Sequence, residues 1–117
     1  MNFLLVFLGG GLGSCARYGI GRLLTGGNWS QFPIATLLAN LLACLVLGYG
    51  LSLAASGRLT EAQKLILLTG FCGGFSTFST FSAEILNLWA SGRSGTAALY
   101  TLLSIASGVG VIWVLTK

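Results

Sequence analysis

One stretch of sixteen residues, "TGFCGGFSTFSTFSAE" from Thr69 to Glu84, holds most of the side chains with which this sequence could do chemistry. Four of the seven phenylalanines lie in it (Phe71, Phe75, Phe78, Phe81), beside the hydroxyls of Ser76, Thr77, Ser79, Thr80 and Ser82. A hydroxyl both donates and accepts, so a row of them can line a polar path. The adjacent Gly73 and Gly74 weaken a helix at its middle. The pattern therefore predicts a break flanked by polar groups, whose freed carbonyls can coordinate a cation. The plainer alternative is that the phenylalanines pack and the hydroxyls bond back to their own helix. One unbroken helix, however, gains nothing from a double glycine.

Other candidates stand outside that core. Glu84 is the one acid inside a predicted apolar span, which makes it a functional candidate; the alternative is that it reaches the interface or pairs with Arg17. Asn40 is the lone amide of "TLLANLLACL" and can either join helices or present an NH₂ donor to an anion. Tyr100, Ser104 and Ser107 follow at spacings of four and three, on one helix face. There is no histidine, which excludes imidazole relays and His-ligated metals. Cys15, Cys44 and Cys72 fit no zinc spacing and read as small packing residues.

The elements that must position these residues are set by composition. Of 117 residues 55% are hydrophobic and 7% charged, against roughly 25% charged in a soluble domain. Two acids and six bases cannot solvate a soluble exterior, so the solvent for most of this surface is lipid. The six cations are scattered and form no nucleic-acid patch. Four apolar stretches, each near the roughly 20 residues that cross hydrocarbon, give a single all-α transmembrane domain over 1–117. The second runs from Pro33 to Ala55, the third from Leu65 to Trp89 and the fourth from Thr96 to Thr116. The first, Phe3 to Ala16, spans only if Arg17 snorkels to the interface or finds a partner inside the protein. No positive region precedes it, so no cleaved signal peptide is expected.

Short polar links, "TGGNWSQF", "SGRLTEAQ" and "SGRSG", join the spans. Thr60 with Gln63 forms a capping-box pattern at the start of the third. Trp29, Trp89 and Trp113 fall near helix ends, as interfacial aromatics do. Small faces at Gly9, Gly10, Gly11 and Gly13, and at Gly108 and Gly110, predict close helix contacts within and between subunits.

The segments "GGGLGSCARY", "ATLLANLLACLVLG" and above all "TGFCGGFSTFSTFSAE" resemble the Fluc (CrcB) fluoride channel family, over nearly the whole chain. The resemblance implies an antiparallel, dual-topology homodimer with two fluoride pathways and a central structural sodium ion. It implies that Phe78 and Phe81 line the pore, with the hydroxyls of Thr77, Ser79 and Thr80 beside them, and that Asn40 is the pore asparagine. Tyr100 and Ser104 match a polar track on the last helix, where Gly108 replaces a further hydroxyl. Gly73 and Ser76 match the pair whose backbone carbonyls hold sodium; Arg17 and Glu84 remain as further candidates. The implied activity is no enzyme's: passive fluoride export across a bacterial inner membrane. A pore of neutral donors can replace water around fluoride without a fixed cation trapping it, and phenyl rings offer an anion their positive edges. The alternative is a small proton-coupled multidrug exporter subunit, which needs a central carboxylate that the first span lacks. Four spans bring both termini to one side. Three cations at each end of the bundle (Arg58, Lys64 and Lys117 against Arg17, Arg22 and Arg93) leave insertion nearly unbiased.

Overall fold

The computed structural model describes residues 1–24 and 32–117, so Trp29 and most of the first link lie outside the described residues. It is all-helical there, with four helices long and apolar enough to cross a membrane. The first is α1 (Asn2–Leu24) and the second α2 (Ile34–Ala55). The third span, Glu61–Ala90, is composite. It begins with α3 (Glu61–Lys64), continues as a π-helical segment (Leu65–Cys72) and α4 (Gly73–Phe75), breaks, and resumes as α5 (Phe78–Ala90). The fourth is α6 (Ser94–Thr116).

Local chemistry explains the ends. α2 and α5 both finish in Ser-Gly-Arg, with Gly57 at φ 73° and Gly92 at φ 79°. That left-handed residue lets the following arginine amide reach back five residues, Arg58 to the Leu53 carbonyl (3.0 Å) and Arg93 to Leu88 (2.9 Å). At the start of α3 both capping-box bonds form, Gln63 N–H to Thr60 Oγ1 at 3.1 Å and Thr60 N–H to Gln63 Oε1 at 2.9 Å. Trp89 and Trp113 stand exposed near the ends of α5 and α6, and the Lys117 ammonium lies 4.5 Å from the centre of the Trp113 ring.

α1 is longer than its uncharged run, and the reason is Arg17. Its Nε donates to the Gly74 carbonyl at 3.2 Å, a partner 57 residues away. A guanidinium satisfied inside the protein lets the helix run on to Leu24.

The third span changes partner at its break. Its first half packs on α1, its second half on α6, and α2 touches α1, the π-helical segment and α6. The α1 contact is backbone on backbone. A Cβ at Gly9 or Gly13 would fall on the carbonyls of Ile66 or Phe71, and one at Gly74 on the Gly10 carbonyl. Gly9–Gly13 and Gly70–Gly74 are thus two crossed small-xxx-small motifs, which let helices approach by packing alone. Gly11 and Gly110 do not take part, since a Cβ at either meets nothing within 4 Å. Two small cores flank the break: Ala39, Ala43 and Phe75 on one side, and Phe81, Leu88, Ala97 and Tyr100 on the other.

Candidate functional site: a clamped helix break and a carboxylate between two hydroxyls

The break does not fall at the double glycine. Gly73 and Gly74 stay helical, and the chain turns extended at Ser76 (φ −81°, ψ 158°) and Thr77 (φ −149°, ψ 122°), midway along the span. Gly74 is small because Gly10 lies against it, not because the helix opens there. What holds the break open is a set of side chains that take the helix's own hydrogen bonds. The Ser76 amide and Oγ both donate to the Cys72 carbonyl, at 3.0 and 2.8 Å. The Thr77 amide donates to Asn40 Oδ1 at 2.8 Å, and Asn40 Nδ2 donates back to the Thr77 carbonyl at 3.3 Å. The Thr80 amide donates to Thr77 Oγ1 at 3.2 Å, which makes Thr77 the N-cap of α5. Ser79 Oγ lies 3.4 Å from the same hydroxyl.

This rerouting bears on the two carbonyls singled out by resemblance. In an unbroken helix the Gly73 carbonyl accepts from residue 77 and the Ser76 carbonyl from residue 80. Here both of those amides are taken by side chains. Gly73 is exposed and Ser76 half-buried, and both line a cavity of about 200 Å³ with Cys44 and Cys72. Two neutral oxygens without helical donors suit a hard cation. Two oxygens fall short of a full coordination shell.

Glu84 forms no ion pair with Arg17; its partners are two hydroxyls. Thr36 Oγ1 donates to its Oε2 at 2.9 Å and the Tyr100 hydroxyl to its Oε1 at 2.8 Å, so the carboxylate ties α2, α5 and α6 together. Tyr100 is fully buried, its ring edge-on to Phe81 (5.2 Å between centres) and to Phe32 (5.5 Å). Sequence reasoning missed Thr36. The available signal was its place four residues before Asn40, on the same face of α2. Glu84, Thr36, Thr77, Thr80 and both Arg17 and Arg22 line one cavity of about 370 Å³. Hydroxyls, a carboxylate and guanidinium groups therefore meet along its wall.

The remaining candidates divide. Phe78 and Phe81 are neighbours, 6.3 Å between ring centres, but Phe78 is 79% exposed and Phe81 9%. Phe75 lies across the break from them, in the other core with Ala39 and Ala43. On α6 the Ser104 hydroxyl is buried with no partner among the described residues, whereas Ser107 bonds back to the Leu103 carbonyl. Gly108 is packed against the Cys44 sulfur.

Comparison with known proteins agrees with this architecture. Residues 4–115 match the family model described as CrcB-like protein, Camphor Resistance (CrcB). A relative in Thermus thermophilus, called fluoride-specific ion channel FluC, is 43% identical over 108 residues, covering 92% of this chain and 86% of its own. Proteins of the same name in Coxiella burnetii and Azobacteroides pseudotrichonymphae are 42% and 41% identical, covering 97% and 95% of this chain and 93% and 90% of theirs. With four apolar spans, a third span broken midway, and a match along almost its whole length, this chain belongs to the CrcB family.

Proposed function

We infer that this chain is the subunit of a fluoride channel, a multi-pass membrane protein that lets fluoride leave the cell down its gradient. The observation that carries the reading is the cavity beside the clamped break. Thr36, Thr77 and Thr80 line it, with Glu84 among them, and Arg17 and Arg22 sit on its wall. Fluoride is compact and strongly hydrated, and neutral donors in series can exchange for its water while holding it weakly enough to release. Relatives that match over most of the chain carry the name fluoride-specific ion channel. A proton-coupled drug exporter fits less well. The Glu84 carboxylate holds two hydroxyl bonds that tie helices together, and α1 has no acid.

Two identical subunits in antiparallel orientation form the channel. Support comes from the 79% exposure of Phe78 beside a buried Phe81, and from the outward-facing Gly73. A second copy related by a two-fold axis doubles the two carbonyls of Gly73 and Ser76 to four, enough neutral oxygens for a structural sodium ion. The membrane is the bacterial inner membrane. Fluoride efflux from liposomes holding the purified protein, with chloride as control, tests the reading. Rapid fluoride release without chloride release is expected. Efflux of neither ion, or transport only under a proton gradient, refutes it.

A further inference from the structure

The resemblance makes Asn40 a ligand of the passing ion, yet its oxygen and one of its two N–H donors are engaged elsewhere. Oδ1 accepts from the Thr77 N–H at 2.8 Å, and Nδ2 donates to the Thr77 carbonyl at 3.3 Å. The two bonds fix the orientation of the amide, because an N–H requires the oxygen and a carbonyl requires the nitrogen. Thr77 is fully extended and is the N-cap of α5.

We propose that Asn40 is a positioning residue. It grips the Thr77 peptide from both sides and so sets where α5 begins and where the Phe78–Phe81 pair stands. This rests on the fluoride-channel reading for its functional consequence, but the grip itself is independent of it. An extended peptide at mid-span has no helical partner, and α2 supplies one through a single side chain. Replacing Asn40 therefore releases the break. Removing a ligand of the ion would weaken only the ion's hold.

The two roles separate in one set of measurements on the full-length protein in liposomes. The variants are Asn40→Ala, Asn40→Asp, and a chain in which the Thr77 amide is replaced by an ester, which deletes the N–H that Asn40 accepts and leaves Asn40 intact. Thr77 lines the 370 Å³ cavity, so water can reach the break once the Asn40 bond to its amide opens. Exchange at Thr77 in Asn40→Ala is expected to rise at least tenfold. Maximal fluoride flux should fall about tenfold in both Asn40→Ala and the ester, with the half-saturating fluoride concentration unchanged. Asn40→Asp keeps the acceptor and should retain part of the protection. Combining the ester with Asn40→Ala should cost no more than Asn40→Ala alone, since the ester cuts one of the two bonds that Asn40→Ala removes. Unchanged exchange at Thr77, multiplied losses in the combination, or a raised half-saturating concentration with maximal flux kept would each overturn the proposal. Should Asn40→Ala fail to fold, hydrogen exchange in Asn40→Asp decides: faster exchange at Thr77 than in the wild type is expected, and wild-type protection overturns the proposal. Should the wild type carry no fluoride, hydrogen exchange still tests the grip, so failure of the function and failure of the inference are distinguishable.

Discussion

Replacing Phe78 and Phe81 by leucine, one at a time, separates packing from ion contact because the two rings sit in opposite surroundings. Phe81 is 9% exposed and lies edge-on to the Tyr100 ring at 5.2 Å. Leucine there forfeits an aromatic pair of about 0.5–1.5 kcal/mol and refills the site imperfectly, for up to about 1.5 kcal/mol more. Phe81→Leu should therefore destabilise by about 0.5–3 kcal/mol. Phe78 is 79% exposed in the protomer, and its nearest ring is Phe81 at 6.3 Å. Phe78→Leu should stay within about 0.5 kcal/mol of the wild type, as exposed substitutions do. If both rings present their edges to fluoride, both variants lose flux regardless. A tenfold loss corresponds to about 1.4 kcal/mol, the scale of one aromatic contact. The assay is fluoride efflux from liposomes at equal amounts of folded protein, beside thermal unfolding in detergent. The telling variant is Phe78→Leu, expected to combine wild-type stability with at least tenfold lower flux. Wild-type flux and chloride exclusion in both variants would refute the reasoning and leave selectivity to the hydroxyls.

Gly13→Ala places a methyl group against the Phe71 carbonyl and should destabilise by about 1–3 kcal/mol. Gly11→Ala, two residues away with open space around it, should be neutral or stabilising by up to about 1 kcal/mol in the same unfolding assay. Tyr100→Phe keeps the ring contacts but leaves Glu84 with the Thr36 hydroxyl alone. It should lower stability by about 1–3 kcal/mol, read by thermal unfolding. Glu84→Gln should still conduct fluoride without a proton gradient, measured as passive efflux; strict loss of transport would favour the exporter. Exhaustive exchange of sodium for a large organic cation should abolish both flux and dimer stability, and returning sodium should restore them.

The four spans were legible because lipid-facing helices need nothing but apolar length, and the capping box at Thr60 because its two bonds are local. The reach of α1 was not legible. It depends on a bond from Arg17 to a carbonyl 57 residues on, which no window along the chain contains. The break was foreseen but misplaced by three residues. A double glycine signals helix weakness and close packing alike, and here Gly74 serves the packing against Gly10. What sets the true position is Asn40, 37 residues earlier. Glu84 was recognisable as a lone acid, but its partners Thr36 and Tyr100 come from helices on either side.

The long-range bonds to the break also impose an order on synthesis. Both side chains that satisfy it, Arg17 from α1 and Asn40 from α2, precede it in the chain. A third span entering lipid by itself would expose the Thr77 amide and the Gly74 carbonyl to hydrocarbon, at several kcal/mol for each unsatisfied group. Because the ribosome delivers α1 and α2 first, the partners are already waiting in the bilayer when the break arrives. Moving α2 to the C-terminal end of the chain by circular permutation would reverse that order. The same helices would then form a bundle whose third span must wait, unsatisfied, for its clamp.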